Sequence, residues 1–246
     1  MRERIRIMLP CLYSFLFSFT CLAQSGVITT YVGPTLPKKD AAATTQIVSP
    51  SSIAFDGVGG FYFSSPFQNR IYHIAPDGRS QLAAGNGAPG YGGDGGPAIS
   101  AQLNFPLGIA IDPTGNLFVA DPKNFRIRKI TPDGTITTVI GNAKDNQSGS
   151  GSQAASVSFL FTDIAVDSTG NLYIVDYGNN RIRRVTPAGV IRTVAGNGKA
   201  GYSGDGDQAT AAQLSGPYSI AVDSSGNLFI SDTKNYRIRK VTLSSR

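Results

Sequence analysis

One phrase recurs four times along this chain: SIAFDGVGGFYFSS, GIAIDPTGNLFVAD, DIAVDSTGNLYIVD and SIAVDSSGNLFISD. The copies are anchored on Asp56, Asp112, Asp167 and Asp223, at spacings of 56, 55 and 56 residues. Self-similarity at such a period makes each copy one supersecondary unit, which buries its apolar face only by stacking on its neighbours. The copies leave no room for a linker or a second domain, so a single repeat domain is expected.

The copies before the last contain four short runs rich in β-branched and aromatic residues, such as GIAID, NLFVAD, RIRKI and TITTVIG. They are separated by PTGN, PKNF and TPDG, whose Pro, Gly and Asn supply tight turns. No window sustains a 3.6-residue apolar period, which argues against helices. A copy is therefore predicted to be a four-stranded antiparallel meander, A to D. A meander recurring every few dozen residues predicts an all-β β-propeller, with blades near residues 52–87, 108–142, 163–198 and 219–246. Runs such as IAI and LYIV lack polar alternation, as expected where neighbouring blades cover both sheet faces. Strand C carries the charge, and its Arg and Lys heads are expected in water over apolar stems.

The two ends of the chain are unequal. QSGVITTYVG matches GTITTVIG and GVIRTVAG, so residues 26–33 form a D strand with no A, B or C before it. NYRIRKVTLSSR ends an A–B–C set with no D after it. One orphan at each end predicts that the N-terminal strand pairs with Arg237–Val241 and closes the ring, which removes an exposed edge. An open arc is the alternative.

Residues 1–23 have a basic start, MRERIR, and an apolar stretch closing in small residues, the layout of a secretory signal peptide. Cleavage near Ala23 would leave a domain of residues 24–246, secreted, periplasmic or extracellular, with no transmembrane segment. Both cysteines, Cys11 and Cys21, lie in the leader, so the mature chain is expected to have no disulfide and no thiolate ligand. Removing Arg2, Arg4, Arg6 and Glu3 takes the 22 basic and 16 acidic residues to 19 and 15, a mild net charge of +4.

The phrase GIAIDPTGNLFVADPKNFRIRKI resembles the NHL repeat in its apolar-Asp, Gly-Asn-Leu and Asn-x-Arg-Ile pattern. GNGAPGYGGDGGPAISAQLNFPLG and GNGKAGYSGDGDQATAAQLSGPYS resemble bacterial repeats akin to the NHL propeller of teneurins. The resemblance spans residues 26–246. It implies a β-propeller, usually of six blades, whereas four copies are present here; an incomplete arc of a six-bladed ring is the alternative it leaves.

The D–A connections (Gly85–Gly108, Gly141–Asp163, Gly196–Ser219) are long and emerge on the same face as the B–C connections, while A–B and C–D are tight turns. Loops on a rigid scaffold carry binding residues, so this face is the candidate site. It holds GYGGDGG and GYSGDGD, with Tyr91, Asp94, Tyr202, Asp205 and Asp207. These would make a carbohydrate or calcium contact, or else a glycine-shaped turn whose Asp satisfies local N–H groups. The B–C connections add Asp121, Asn124 and Phe125, then Asp176 and Asn179, then Asp232, Asn235 and Tyr236. Each Asp is followed five residues later by Arg126, Arg181 or Arg237, with which it would pair or ring a channel mouth; Ser65 replaces it in the first copy.

Nucleic acid is not the expected partner, because the basic strand lacks a stacking platform and the leader directs export. His73 is the single histidine and Glu3 the single Glu, so neither a three-ligand zinc site nor a Ser–His–Asp arrangement is signalled. His73 is expected to be a surface substitution. The function expected is an exported, non-enzymatic module that binds a protein or glycan through the D–A/B–C face without a cofactor. The alternative is a propeller hydrolase or lyase, lactonase-like or peptidyl-hydroxyglycine lyase-like, with calcium held by Asp and Asn in the channel.

Overall fold

A computed structural model describes residues 49–141 and 160–242. Fifteen strands are present among them, and they form four antiparallel sheets arranged as a four-bladed propeller. Blade 1 comprises β1 (Ile53–Phe55), β2 (Phe61–Ser65), β3 (Arg70–Ile74) and β4 (Ser80–Ala84). Blade 2 comprises β5 (Ile109–Ile111), β6 (Leu117–Asp121), β7 (Arg126–Ile130) and β8 (Ile136–Ile140). Blade 3 comprises β9 (Phe161–Val166), β10 (Leu172–Asp176), β11 (Arg181–Val185) and β12 (Ile191–Ala195). Blade 4 comprises β13 (Pro217–Val222), β14 (Leu228–Asp232) and β15 (Arg237–Val241). Strands pair in sequence order, as a meander requires. The anticipated signal peptide and the 26–33 strand lie outside the described residues.

The turns form for local reasons. Asp112 Oδ1 accepts the Thr114 and Asn116 N–H groups at 2.9 Å each, and its Oδ2 accepts from Asn116 Nδ2 at 2.7 Å. Asp167 with Asn171 and Asp223 with Asn227 repeat the clamp. In the first copy Gly60 stands where the Asn would be, and His73 Nε2 reaches Asp56 Oδ2 at 2.9 Å instead. His73 is thus a half-buried part of the turn, its ring tilted against Tyr62 at 4.4 Å, rather than the surface substitution expected.

Packing lies between blades, as unalternating strands require. Ile71 and Ala84 of blade 1 share a core with Val119 and Ile136 of blade 2. Ile127 and Ile140 of blade 2 meet Ile174 and Ile191 of blade 3. Val175 and Ile182 of blade 3 meet Leu228 and Ile230 of blade 4. Full burial of each such side chain contributes roughly 1.5–3 kcal/mol. A fourth cluster, Phe63, Tyr72 and Ile74, belongs to blade 1 alone, and Phe55 beside it is exposed.

Strand C corrects one expectation. The side chains of Arg128 and Arg183 are buried, not solvated. Arg126 and Arg128 share one face of β7, as Arg181 and Arg183 share one face of β11, and the second of each pair is the one enclosed.

Candidate functional site

The D–A and B–C connections meet on one face and are stitched together by the recurring carboxylates. Asp121 Oδ1 accepts the Asn104 N–H at 2.7 Å, and Oδ2 accepts from Asn124 Nδ2 at 2.6 Å. Asn124 Nδ2 also donates to Gly90 O at 2.7 Å. Blade 4 repeats this with Asp232, Ser215, Asn235 and Gly201. In blade 3, Asp176 accepts from Asn179 at 2.8 Å and from Arg183 Nε at 3.0 Å.

The arginine partners differ from the sequence expectation. Arg128 Nη1 stands 3.8 Å from Asp121 and Arg239 Nη1 3.4 Å from Asp232, so the cation comes from seven residues on, not five. The residue five on, Arg126, donates to Asn124 O and stacks 3.5 Å from the Tyr91 ring centre. The two arginines share one face of the strand; the seventh residue lies beneath the D–A loop, where the Gln102 and Gly92 carbonyls accept its N–H groups, and the fifth lies at the start of the strand against Tyr91.

Asp94 binds Arg128 through Nε at 3.1 Å and Nη2 at 2.6 Å, and accepts from Tyr91 Oη at 2.7 Å. Tyr202, Asp205 and Arg239 make the same unit in blade 4. Burial works against the Asp94 carboxylate, but Tyr91, Thr138 and Arg128 together hold its pKa below the ordinary value. For Asp205 the Tyr202 hydroxyl leads the same lowering. Burial pushes Asp121 up to about 6 and also raises Asp176. Asp207 is exposed in the loop turn, its N–H donating to Gly204 O at 3.3 Å. Geometry therefore commits most of the singled-out polar residues to one another. Phe125 and Tyr236 close the B–C turns with positive φ; Phe125 is half-buried and Tyr236 is 94% exposed.

Above this framework the face carries aromatic rings that the sequence analysis missed. Phe67 and Phe105 pack edge to face at 5.3 Å, with Lys123 Nζ 4.6 Å from the Phe105 ring centre. Tyr177 and Tyr218 pack edge to face at 6.4 Å, with Lys234 Nζ 5.7 Å from Tyr177. Phe67 is 69% exposed and Tyr218 is 51% exposed. Each of the four departs from the repeat at its position, which was the available signal. Asp163 is another departure, standing where blade 2 has Gly108. Its Oδ2 accepts from Ser219 Oγ at 2.5 Å and Ile220 N at 3.1 Å, and burial raises its pKa.

The opposite face holds a cleft of about 640 Å³ between blades 2 and 3, with Phe118, Val139, Leu172 and Val185 among its walls and Lys129 at its edge. Among the described residues no group of three or more His, Cys, Asp or Glu is placed to hold a metal ion. Nor is any helix among them long and apolar enough to cross a membrane.

The teneurin NHL domain matches residues 87–157, and the NHL repeat matches residues 162–185. The chain is an NHL-repeat β-propeller. Teneurin-m of Drosophila melanogaster is 31% identical to this propeller over 208 residues, 74% of this chain and 8% of that protein. Teneurin-3 of Mus musculus is 32% identical over 165 residues, 61% of this chain and 6% of that protein. The chain thus spans under a tenth of the length of these relatives. Among solved structures, a protein of unknown function from Bacteroides thetaiotaomicron superposes with a TM-score of 0.62 at 23% identity, over 79% of this chain and 48% of that one. A chain of the nidogen/laminin complex superposes with a TM-score of 0.55 at 20% identity, over 81% and 64%. Both likenesses concern the fold alone.

Proposed function

We propose that this NHL propeller is an exported binding module that engages a protein or glycan through its D–A/B–C face. The observation that carries the reading is the pair of exposed aromatic–lysine patches, Phe67–Phe105–Lys123 and Tyr177–Tyr218–Lys234. Rings presented with few rotatable bonds supply contact area at low entropic cost, and they concentrate in the centres of interaction surfaces. The polar residues beneath them hold the loops, which keeps the rings preorganised. The nidogen/laminin complex supports the reading by analogy of fold only.

The recurring Asp121, Asp176 and Asp232 are engaged with turns and arginines, so the hydrolase or lyase alternative would have to rest on polar residues that do not recur. The test is a screen of glycans and extracellular proteins with the wild type and with a Phe67→Ser/Tyr218→Ser variant. A partner whose affinity falls at least tenfold in the variant, with an unchanged melting temperature, supports the face. Partners bound equally by both proteins, but lost when Lys129 is replaced by Glu, would move the function to the opposite cleft.

A further inference from the structure

The cleft between blades 2 and 3 takes one wall from blade 2. Phe118 and Thr137 both lie opposite Lys129 in the β6–β7 and β7–β8 ladders, so the three side chains share that face. Val139 of β8 joins them in the wall. Blade 3 supplies Leu172 and Val185, both buried, with the exposed Pro187 and Ala188 of its C–D turn at the rim. The volume, about 640 Å³, falls within the range of small-molecule sites, about 300–1,000 Å³.

The other blades fill the equivalent positions differently. Blade 1 has Tyr62 and His73 where blade 2 has Phe118 and Lys129, and His73 Nε2 is held by Asp56 Oδ2 at 2.9 Å. Blade 3 has Tyr173 and Arg184. Tyr173 is buried, its hydroxyl bonds to Asp167 Oδ2 at 3.1 Å, and the Arg184 guanidinium stands beside that hydroxyl. In blade 4, Lys240 Nζ lies 5.6 Å from the ring centre of Phe229. Lys129 is half-buried, and among the described residues its ammonium has no hydrogen bond, ion pair or ring contact. The other charged residue of the cleft, Asp112, turns its oxygens to the Thr114 and Asn116 donors of its own turn.

The C–D turns differ in the same sense. Blades 1 and 2 read APDG and TPDG there, with Asp77 and Asp133, whereas blade 3 reads TPAG with Ala188. The unpaired lysine thus shares its cleft with the C–D turn that lacks the carboxylate. A half-buried ammonium in an apolar wall gains most from an anion that pairs with it out of water, where salt screens the pair least.

We propose that this cleft binds a small amphipathic carboxylate, its alkyl chain on Phe118, Val139, Leu172 and Val185 and its headgroup at Lys129. Apolar burial supplies the affinity, and the one unpaired cation supplies orientation and selection by charge. The site lies on the A–B/C–D face, apart from the aromatic–lysine patches, and does not depend on what those patches bind.

Titration calorimetry of the full chain tests this, with decanoate as the probe and decylammonium as its cationic counterpart. Decanoate should bind at one site per chain, at least tenfold more tightly than decylammonium. Lys129→Gln should weaken decanoate binding at least tenfold. Ala188→Asp should weaken it at least threefold at low ionic strength; aspartate already fits this turn in blades 1 and 2, so the melting temperature should not fall. The Phe67→Ser/Tyr218→Ser variant should bind decanoate as the wild type does. Absence of saturable binding, equal affinity for the two probes, decanoate binding undiminished by Ala188→Asp, or its loss in Phe67→Ser/Tyr218→Ser overturns the proposal.

Discussion

Arg128→Met probes the buried stitch of blade 2 directly. The Arg128 guanidinium bonds to Asp94 and to the carbonyls of Gln102 and Gly92, and it sits 3.8 Å from Asp121. Its side chain is 0% exposed, as is that of Asp121. Methionine keeps much of the stem volume but strands a buried carboxylate, and breaking a buried pair on one side costs about 3–5 kcal/mol. For a domain of this size each kcal/mol lowers the melting temperature by roughly 2–4 °C, so a fall of about 6–20 °C at pH 7 follows. Far-UV circular dichroism on heating, backed by urea titration, reads it. The neighbouring Arg126→Met removes a half-buried cation stacked on Tyr91, worth about 1 kcal/mol or less. Arg239→Met should fall between the two, because its partner Asp205 is well exposed and its pairing is screened by water. The Arg128→Met loss should also shrink at pH 5, where Asp121 can take up a proton. Equal losses for Arg126→Met and Arg128→Met, or a loss under about 1 kcal/mol for the latter, would refute the claim that the D–A loop encloses Arg128 and leaves Arg126 outside it.

Asp121→Asn should change the pH dependence of stability in a set direction. Burial raises the Asp121 pKa to about 6, so the folded state holds its proton more firmly than the unfolded chain. That contribution is complete below about pH 4 and is lost as pH rises through about 6. The melting temperature of the variant relative to wild type should therefore rise between pH 4 and pH 7, by the equivalent of about 1–3 kcal/mol; a flat difference would refute it. Gly141→Ala should cost about 1–3 kcal/mol in urea titration, because φ is +97° and a Cβ would overlap the Phe125 carbonyl. Gly134→Ala, with φ of +84° but open space around it, should cost only about 1 kcal/mol; the reverse order would show that the Gly141–Phe125 contact does not constrain the blade.

Much of the candidate face was legible beforehand because repeats expose their own exceptions. Asp121, Asn124, Asp232 and Asn235 recur with fixed spacing, so a shared turn role was readable, and they do share one. Tyr91 and Asp94 recur as Tyr202 and Asp205, and the structure gives both pairs the same arginine. The aromatic–lysine patches were not legible. Phe67 and Phe105 are 38 residues apart and Tyr177 and Tyr218 are 41 apart, and no local pattern says that a B–C turn and the end of a D–A loop touch.

What the linear order determined was the unit and its count: β-branched runs between Gly-, Pro- and Asp-bearing turns leave the backbone few choices, and four copies of such a unit can bury their faces only against one another. What only the tertiary structure decided was polarity within the unit. Arg126 and Arg128 lie on the same face of their strand, so alternation alone cannot tell which of them is enclosed. The choice is made when the D–A loop folds over Arg128, bringing Asp94 and the Gly92 and Gln102 carbonyls to the one arginine that they can desolvate.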